Sequence, residues 1–422
     1  MREFERFDMK EPPRRQSAFL GTLAYALSIP DIIKHRPTIT KIGTENLKPP
    51  YVLLCNHNAF MDFKVAIQCT YPNKANYVVA IDGFLKRENL LRNIGCICKR
   101  KFTNDITLVR QLKRVIDNGD IAVIYPEARY SLCGTTAVLP ESLGKLCKLL
   151  NVPVVTLICH GHHINSPFWN LHDRGVKPTE AEFRLLIQKD ELKSMTPDEI
   201  NRKIVDVFQY DEYAWQKEKG IKVTYSKRAE GLDRVLYQCP SCRREFRMKT
   251  EGDRLFCPDC GKSWRYTELG ELRSEDGQDI FTHIPDWYEW ERANVRDEVE
   301  RGVYSSGVLP VKVDSLPNAK GYIRLGNGTM VHDMNGFRVE CTGEDGEVFT
   351  MEKSVPSLYS CHIEYNYLGK FGDCVDLNTL SDTWYIYPYD AEFSVTKMAL
   401  ATEELYFRDR KDKGMTLKPG LA

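Results

Sequence analysis

The sequence predicts a mixed α/β sheet flanked by helices, then a small four-cysteine module, then a C-terminal antiparallel β domain. Three observations carry this. Between residues 51 and 187, short and wholly apolar runs alternate with helical patterns, as in sheets covered on both faces. Two Cys-x-x-Cys pairs follow, beginning at Cys239 and Cys257. From Val303 the pattern changes to short alternating runs broken by Gly, Asn and Asp turns.

A chain of 422 residues is long enough for two or three domains. Its formal net charge is zero and its sequence pI about 7.1, so no nucleic-acid partner is expected and any anion site has to be local. The 14 cysteines lie in apolar stretches as well as in the two pairs, and no signal peptide precedes them. That usage fits a reducing cytosol, where cysteine serves as a small buried apolar group or a metal ligand. The apolar run from Ala18 to Ile29, ended by Pro30 and preceded by Arg14-Arg15, is shorter than the roughly 20 residues that span a bilayer. It is expected either to lie in a membrane interface, with Phe19, Leu20, Leu23 and Leu27 in the acyl boundary, or to pack on the protein's own core.

Taken in order, Tyr51-Val52-Leu53-Leu54 reads as a buried strand that runs into Cys55-Asn56-His57-Asn58-Ala59-Phe60-Met61-Asp62. Inside one helix, His57 and Asp62 would point about 140° apart and could not pair. They can pair if His57 sits in the turn and Asp62 in the first helical turn after it. There the helix N-terminus favours the carboxylate, which can fix the imidazole tautomer and leave the other nitrogen as a general base. A histidine that only satisfies a strand-to-helix turn is the alternative.

Tyr77 to Ile81 is the next strand, Asp82 to Leu91 an amphipathic helix, and Ile94 to Cys98 a third apolar run closed by Lys99-Arg100-Lys101. Those cations form a candidate anion site. A helix over 104–118 leads to the strand Ile121 to Tyr125, whose exit carries Glu127, Arg129 and Ser131. Glu141 to Leu150 reads as a helix and Val152 to Ile158 as a strand, after which His160, His162 and His163 are expected to be loop residues. Phe183 to Ile187 is a further strand, and Thr196-Pro197-Asp198-Glu199 opens a helix with the preferred cap chemistry.

Cys239, Cys242, Cys257 and Cys260 supply four thiolates from two knuckles joined by a hairpin expected over 243–248 and 253–256. This is the spacing of a zinc ribbon, and four sulfur ligands leave no open position, so the zinc is expected to be structural. Trp287 and Trp290 share one face of a following helix, suited to a domain interface in first place or else to a bilayer headgroup layer. About seven strands and a helix capped by Ser394 then outline a pleckstrin-homology-like sandwich. Expected boundaries are an interfacial helix region over 1–35, the α/β unit over 36–227, the ribbon over 235–270, a linking helix over 280–300, and the β domain with its terminal helix over 303–410.

Asn56-His57-x4-Asp62, the Gly95 to Lys101 stretch, Tyr125-Pro126-Glu127 and Val152-Pro153-Val154 occur in the order and rough spacing of the four motifs of the glycerolipid acyltransferase family, which the first half of the chain resembles. The resemblance implies that His57 is the general base and Asp62 its orienting carboxylate, with no serine or cysteine nucleophile. It implies a phosphate-holding role for Arg100, with Lys101 second, and contact of Glu127 with the acceptor hydroxyls or bracing of the site by it. It also implies acyl-CoA or acyl carrier protein as donor, a lysophospholipid acceptor, with 1-acyl-glycerol-3-phosphate giving phosphatidic acid in first place, and a peripheral position on the cytoplasmic face of the cell membrane. The third motif departs from the family's Phe-Pro-Glu-Gly-Thr-Arg-Ser: Ala128 replaces the glycine, Arg129 comes one place early, and Tyr130 stands where a cation is expected. Arg129 could still reach a phosphate, but the acceptor headgroup stays open. A non-catalytic lipid- or partner-binding protein that uses the ribbon and β domain on this scaffold is the competing expectation.

Overall fold

The computed structural model describes residues 4–369, 371–415 and 420–421. The chain opens with α1 (Ala18–His35), β1 (Thr38–Ile42), β2 (Val52–Cys55), α2 (Phe60–Thr70), β3 (Ala75–Ala80), α3 (Glu88–Ile94) and β4 (Cys96–Lys99). It continues with α4 (Ile106–Asp117), β5 (Ile121–Ile124), α5 (Ser142–Leu150), β6 (Val154–His160), α6 (His162–Asn165), β7 (Glu180–Ile187), α7 (Lys189–Ser194), α8 (Pro197–Val207) and α9 (Glu212–Lys219). The strands form one sheet in the order β1-β7-β6-β2-β5-β3-β4. From β6 to β4 they run parallel, while β7 is antiparallel to β6 and carries β1 at the edge.

The apolar runs are apolar because both faces of the sheet are covered. Leu53 and Cys55 face one core with Val123 and Leu157, and Val52 and Leu54 face the other with Leu112, Leu143 and Ile200. The parallel strands all end on the same side, so the turns after β2, β5, β3 and β4 and the α6 turn after β6 converge there, as expected for a ligand site in such sheets.

Two local expectations change. β1 has no counterpart in the sequence pattern, because its residues lie at a half-exposed edge without apolar alternation. Pro30 does not end the first helix; α1 runs through it to His35, and Arg36 then closes the helix in the left-handed conformation. The proline is exposed on the outer side, where the lost backbone hydrogen bond can be replaced by water. Phe19, Leu23, Leu27 and Ile33 are exposed along α1, whose inner side packs on α2 through the stacked rings of Tyr25 and Tyr71 and the Gln68–Ser28 hydrogen bond. Among the described residues no helix is long and apolar enough to cross a membrane.

The ribbon consists of β8 (Lys249–Glu251), β9 (Arg254–Phe256), β10 (Ser263–Tyr266) and β11 (Leu272–Ser274), ordered β11-β10-β9-β8. Its hairpin starts later than expected because Arg243 and Phe246 take left-handed backbone conformations that keep 243–248 as a turn. α10 (Ile284–Glu300) follows, then β12 (Leu309–Ser315), β13 (Ile323–Asp333), β14 (Gly336–Thr342), β15 (Val348–Ser354), β16 (His362–Glu364), β17 (Cys374–Asn378), β18 (Thr383–Pro388) and α11 (Val395–Asp412). These strands make one continuous antiparallel half-barrel, β15-β14-β13-β12-β18-β17-β16, and α11, capped by Ser394, packs on α10. Trp264 of the ribbon, Trp287 of α10 and Val313 and Leu400 of the β domain belong to one core. Ribbon, helix and half-barrel therefore pack as one body.

Candidate active site

Asp62 is the third residue of α2, and the residues before the helix fold back over it. Its Oδ2 accepts from the backbone N–H of Asn58 (2.5 Å) and of Ala59 (2.8 Å), which anchors the turn that carries His57. Its Oδ1 lies 2.5 Å from His162 Nδ1, and His57 Nδ1 is 3.7 Å from Oδ2. Burial alone would raise the pKa of this fully buried carboxyl, but His162 and His57 outweigh it and hold the group at about 2. The carboxylate is therefore ionised throughout the neutral range. The sequence expectation that His57 occupies the turn and Asp62 the first helical turn is what the chain adopts.

His57 is held by its backbone as well as its ring. Its N–H donates to Glu127 Oε1 (3.0 Å) and its carbonyl accepts from the Ser131 N–H (2.8 Å). The imidazole lies between the rings of Tyr125 and Tyr130, each with its centroid 4.4 Å away, and remains 23% exposed. Tyr130, the residue found where a cation was expected, thus walls the histidine.

Glu127 is enclosed by the protein. Its carboxyl is fully buried and takes hydrogen bonds from the His57 N–H, the Ala137 N–H (2.8 Å) and the Tyr210 hydroxyl (2.9 Å). Burial pushes it up to about 7 against these bonds. It braces the histidine turn, one of the two roles that the sequence left open. Ala128, which stands in place of a glycine, takes φ = 56°, the left-handed conformation that glycine adopts without strain.

The three cations assigned to an acceptor phosphate are elsewhere engaged. Arg100 is 1% exposed and donates to the carbonyls of Leu316 (3.0 Å) and Pro317 (2.8 Å) and to the Thr383 hydroxyl (2.7 Å), all in the β domain. Arg129 is buried against Glu403 of α11 (2.7 Å), with Ser360 Oγ and the Cys361 carbonyl as further acceptors. Lys101 Nζ lies 3.0 Å from His362 Nε2, 3.6 Å from Asp376 and 3.7 Å from Asp82. The sequence could not show this, because every one of these partners except Asp82 is more than 200 residues away along the chain.

Of the histidines expected to be loop residues, His160 pairs with Glu212 (3.0 Å) and His163 faces the Tyr213 hydroxyl, its pKa pushed down to about 3 by burial. His162 is instead part of the site, 1% exposed and bonded to Asp62. Its position, two residues beyond a buried parallel strand that neighbours the strand before His57, was the available signal.

The thiol sulfurs of the ribbon converge: Cys239 and Cys260 are 3.7 Å apart, as are Cys242 and Cys257. A tetrahedral ion with sulfur bonds of about 2.3 Å needs edges of about 3.8 Å, so these residues could hold a metal ion.

Against this geometry, comparison with known proteins is specific. Residues 38–160 match the Acyltransferase family. Residues 38–160 of this chain are an acyltransferase-family segment. Among solved structures, the 1-acyl-sn-glycerophosphate (LPA) acyltransferase PlsC from Thermotoga maritima is similar over 44% of this chain and 75% of its own, with 14% identity and a TM-score of 0.36. No curated protein matches the chain. The matched segment of the acyltransferase domain contains His57, Asp62, Arg100, Lys101, Glu127 and Arg129 and ends just short of His162.

Two outcomes are expected. Arg100→Ala lowers stability by about 1–3 kcal/mol, because three buried acceptors lose their donor, measurable by denaturant unfolding. His162→Phe lowers kcat about tenfold or more with little change in KM, and His162→Gln, which can still donate to Asp62, restores part of it; equal kcat in both variants would show that the contact only packs the core.

Proposed function

We propose that this protein transfers a fatty acyl group from a thioester donor, acyl-CoA or acyl carrier protein, to the hydroxyl of a lysophospholipid at a membrane surface. The observation that carries the proposal is the accessible imidazole of His57 with an ionised, fully buried Asp62 behind it, inside the segment that matches the acyltransferase family.

In this reading the unencumbered His57 nitrogen takes the proton of the acceptor hydroxyl as its oxygen attacks the thioester carbonyl. The C–S bond breaks, the thiolate leaves, and the proton passes to it from the imidazolium. Asp62 stabilises the charged ring, His162 and the Asn58 and Ala59 N–H groups fix Asp62, and Glu127 and Ser131 fix the backbone of His57. No protein nucleophile is required. Cys55 is buried beside the histidine, and burial first, then Cys69 and the charge of Asp62, raises its thiol well above its ordinary range, so it supports no thiolate chemistry.

Membrane contact is supported by the exposed apolar side of α1, where Phe19 is 75% and Leu27 66% exposed, and by Phe60 at the start of α2, 62% exposed beside the histidine turn. With a soluble thioester as donor, the cytoplasmic face of the membrane suits this arrangement. The ion of the ribbon is taken to be zinc, held by Cys239, Cys242, Cys257 and Cys260 in a purely structural role.

His57→Ala is expected to reduce transfer from labelled acyl-CoA to a lysophospholipid roughly 10²-fold or more, measured beside wild type. Undiminished transfer would remove the histidine from the chemistry, and no transfer by the wild type would favour a lipid-binding role. Metal analysis is expected to find about one zinc per chain, lost in Cys257→Ser together with a lower Tm; a metal-free wild type of equal Tm would refute the site.

A further inference from the structure

The contact with Asp62 does not fix the orientation of the His57 ring. Among the described residues its buried Nδ1 has no hydrogen bond, since Asp62 Oδ2 stands 3.7 Å away. The imidazole is held by ring contacts instead, against Tyr125 at 36° and Tyr130 at 44°, each 4.4 Å from centroid to centroid. Tyr125 stands one residue beyond β5 and is carried by the sheet. Tyr130 belongs to the turn that follows, and the β domain and its terminal helix hold that turn.

Three successive residues make the connection. Arg129, 4% exposed, donates from Nη2 to Glu403 Oε1 of α11 (2.7 Å) and from Nη1 to Ser360 Oγ (3.2 Å) and the Cys361 carbonyl (3.3 Å). Glu403 has no exposure, and its Oε1 also accepts from the Ser360 hydroxyl (2.8 Å). Burial alone would raise its carboxyl, but Arg129 and Arg292 outweigh it and hold the group below its ordinary range, so the pair is ionised. At the next position the Tyr130 ring meets Phe168 at 5.7 Å, and Phe168 meets Tyr365, just beyond β16, at 5.4 Å. Ser131 then donates its N–H to the His57 carbonyl (2.8 Å).

We infer that Glu403 is a positioning residue for His57: through Arg129 it fixes where the Tyr130 ring stands, and that ring fixes the orientation of the imidazole toward the acceptor hydroxyl. The kinetic consequence rests on the acyl-transfer reading of His57. Apolar side chains of similar volume often replace a buried ion pair with little loss of stability, but they lack the directed hydrogen bonds that hold one backbone geometry. A displacement of about 1 Å at a reacting group can slow a reaction roughly 10²-fold. The β domain thus takes part in the reaction without touching substrate.

The test uses the full chain. Arg129→Met with Glu403→Met removes both charges together and leaves Arg292 beside Glu404 and Glu289. This double variant is expected to keep a Tm close to that of the wild type and to lower kcat about tenfold or more at unchanged KM for donor and acceptor. Tyr130→Ala is expected to lower kcat by a similar factor, and the triple variant no further, because both changes act on one ring. Wild-type kcat in the double variant, or losses that multiply in the triple variant, would overturn the inference. If the double variant does not fold, Phe168→Leu, which loosens Tyr130 and keeps the charges paired, takes its place with the same expectations. The imidazole Cε1–H resonance, identified by its absence in His57→Ala, reads the ring without turnover. It is expected to shift in the double variant in the direction seen in Tyr130→Ala, and an unshifted resonance also overturns the inference. A shifted resonance in a protein that transfers no acyl group leaves the positioning intact and overturns the acyl-transfer reading instead.

Discussion

A single buried carboxylate fixes the geometry on which the site depends. Asp62 ties together the turn after β2, the first turn of α2 and the α6 turn after β6, through two backbone N–H groups and His162, with His57 alongside. A lone carboxylate at zero exposure would be driven to protonate. The surrounding donors reverse that tendency, so its charge and the shape of the turn maintain each other. Loss of any one donor leaves a charge in low dielectric with fewer partners, which is why His162 belongs to the site although it does not face the substrate side.

The second constraint is the way the two halves meet. Burying arginine is costly unless its donors are satisfied, and among the described residues the terminal nitrogens of Arg100 and Arg129 find their acceptors in the β domain and its helix, while the Nε of each has none. Arg100 meets two carbonyls and a hydroxyl, a neutral set that leaves its charge uncompensated at close range. Arg129 meets Glu403, which Arg292 of α10 also binds at 2.6 Å, so that pair belongs to a larger ion network. These contacts make the half-barrel a wall of the site and not a detachable appendage, and they occupy the terminal nitrogens of both guanidinium groups.

What could be read from the sequence follows the range of the interactions. Strand exits, the His57–Asp62 arrangement and the thiolate spacing are set by residues within about 25 positions of one another, and period and cap chemistry report them directly. The antiparallel strands of the last domain were visible as alternation and α11 as a capped helix, but their joining into one continuous sheet was not. The roles of Arg100, Lys101 and Arg129 depend on partners such as Leu316, His362 and Glu403, which no local pattern identifies. His162 was missed for the related reason that β6 is beside β2 in space and 100 residues away in sequence. The altered third motif was the one local warning, since Tyr130 at a cation's position left the acceptor headgroup open.

The ribbon gains a role from this packing. Trp264 of β10 meets Trp287 of α10 edge to face at 4.9 Å, and the Trp287 indole N–H donates to the Gln238 carbonyl beside the first cysteine. One and a half turns along α10, Arg292 holds Glu403, Glu403 holds Arg129, and Arg129 belongs to the turn whose Ser131 N–H holds the carbonyl of His57. Each step is a direct contact or a short stretch of one element. Four cysteines that could hold a metal ion stand at the near end of that series and the sheet stands at the far end, so the ribbon is packed in continuity with the wall beside the histidine.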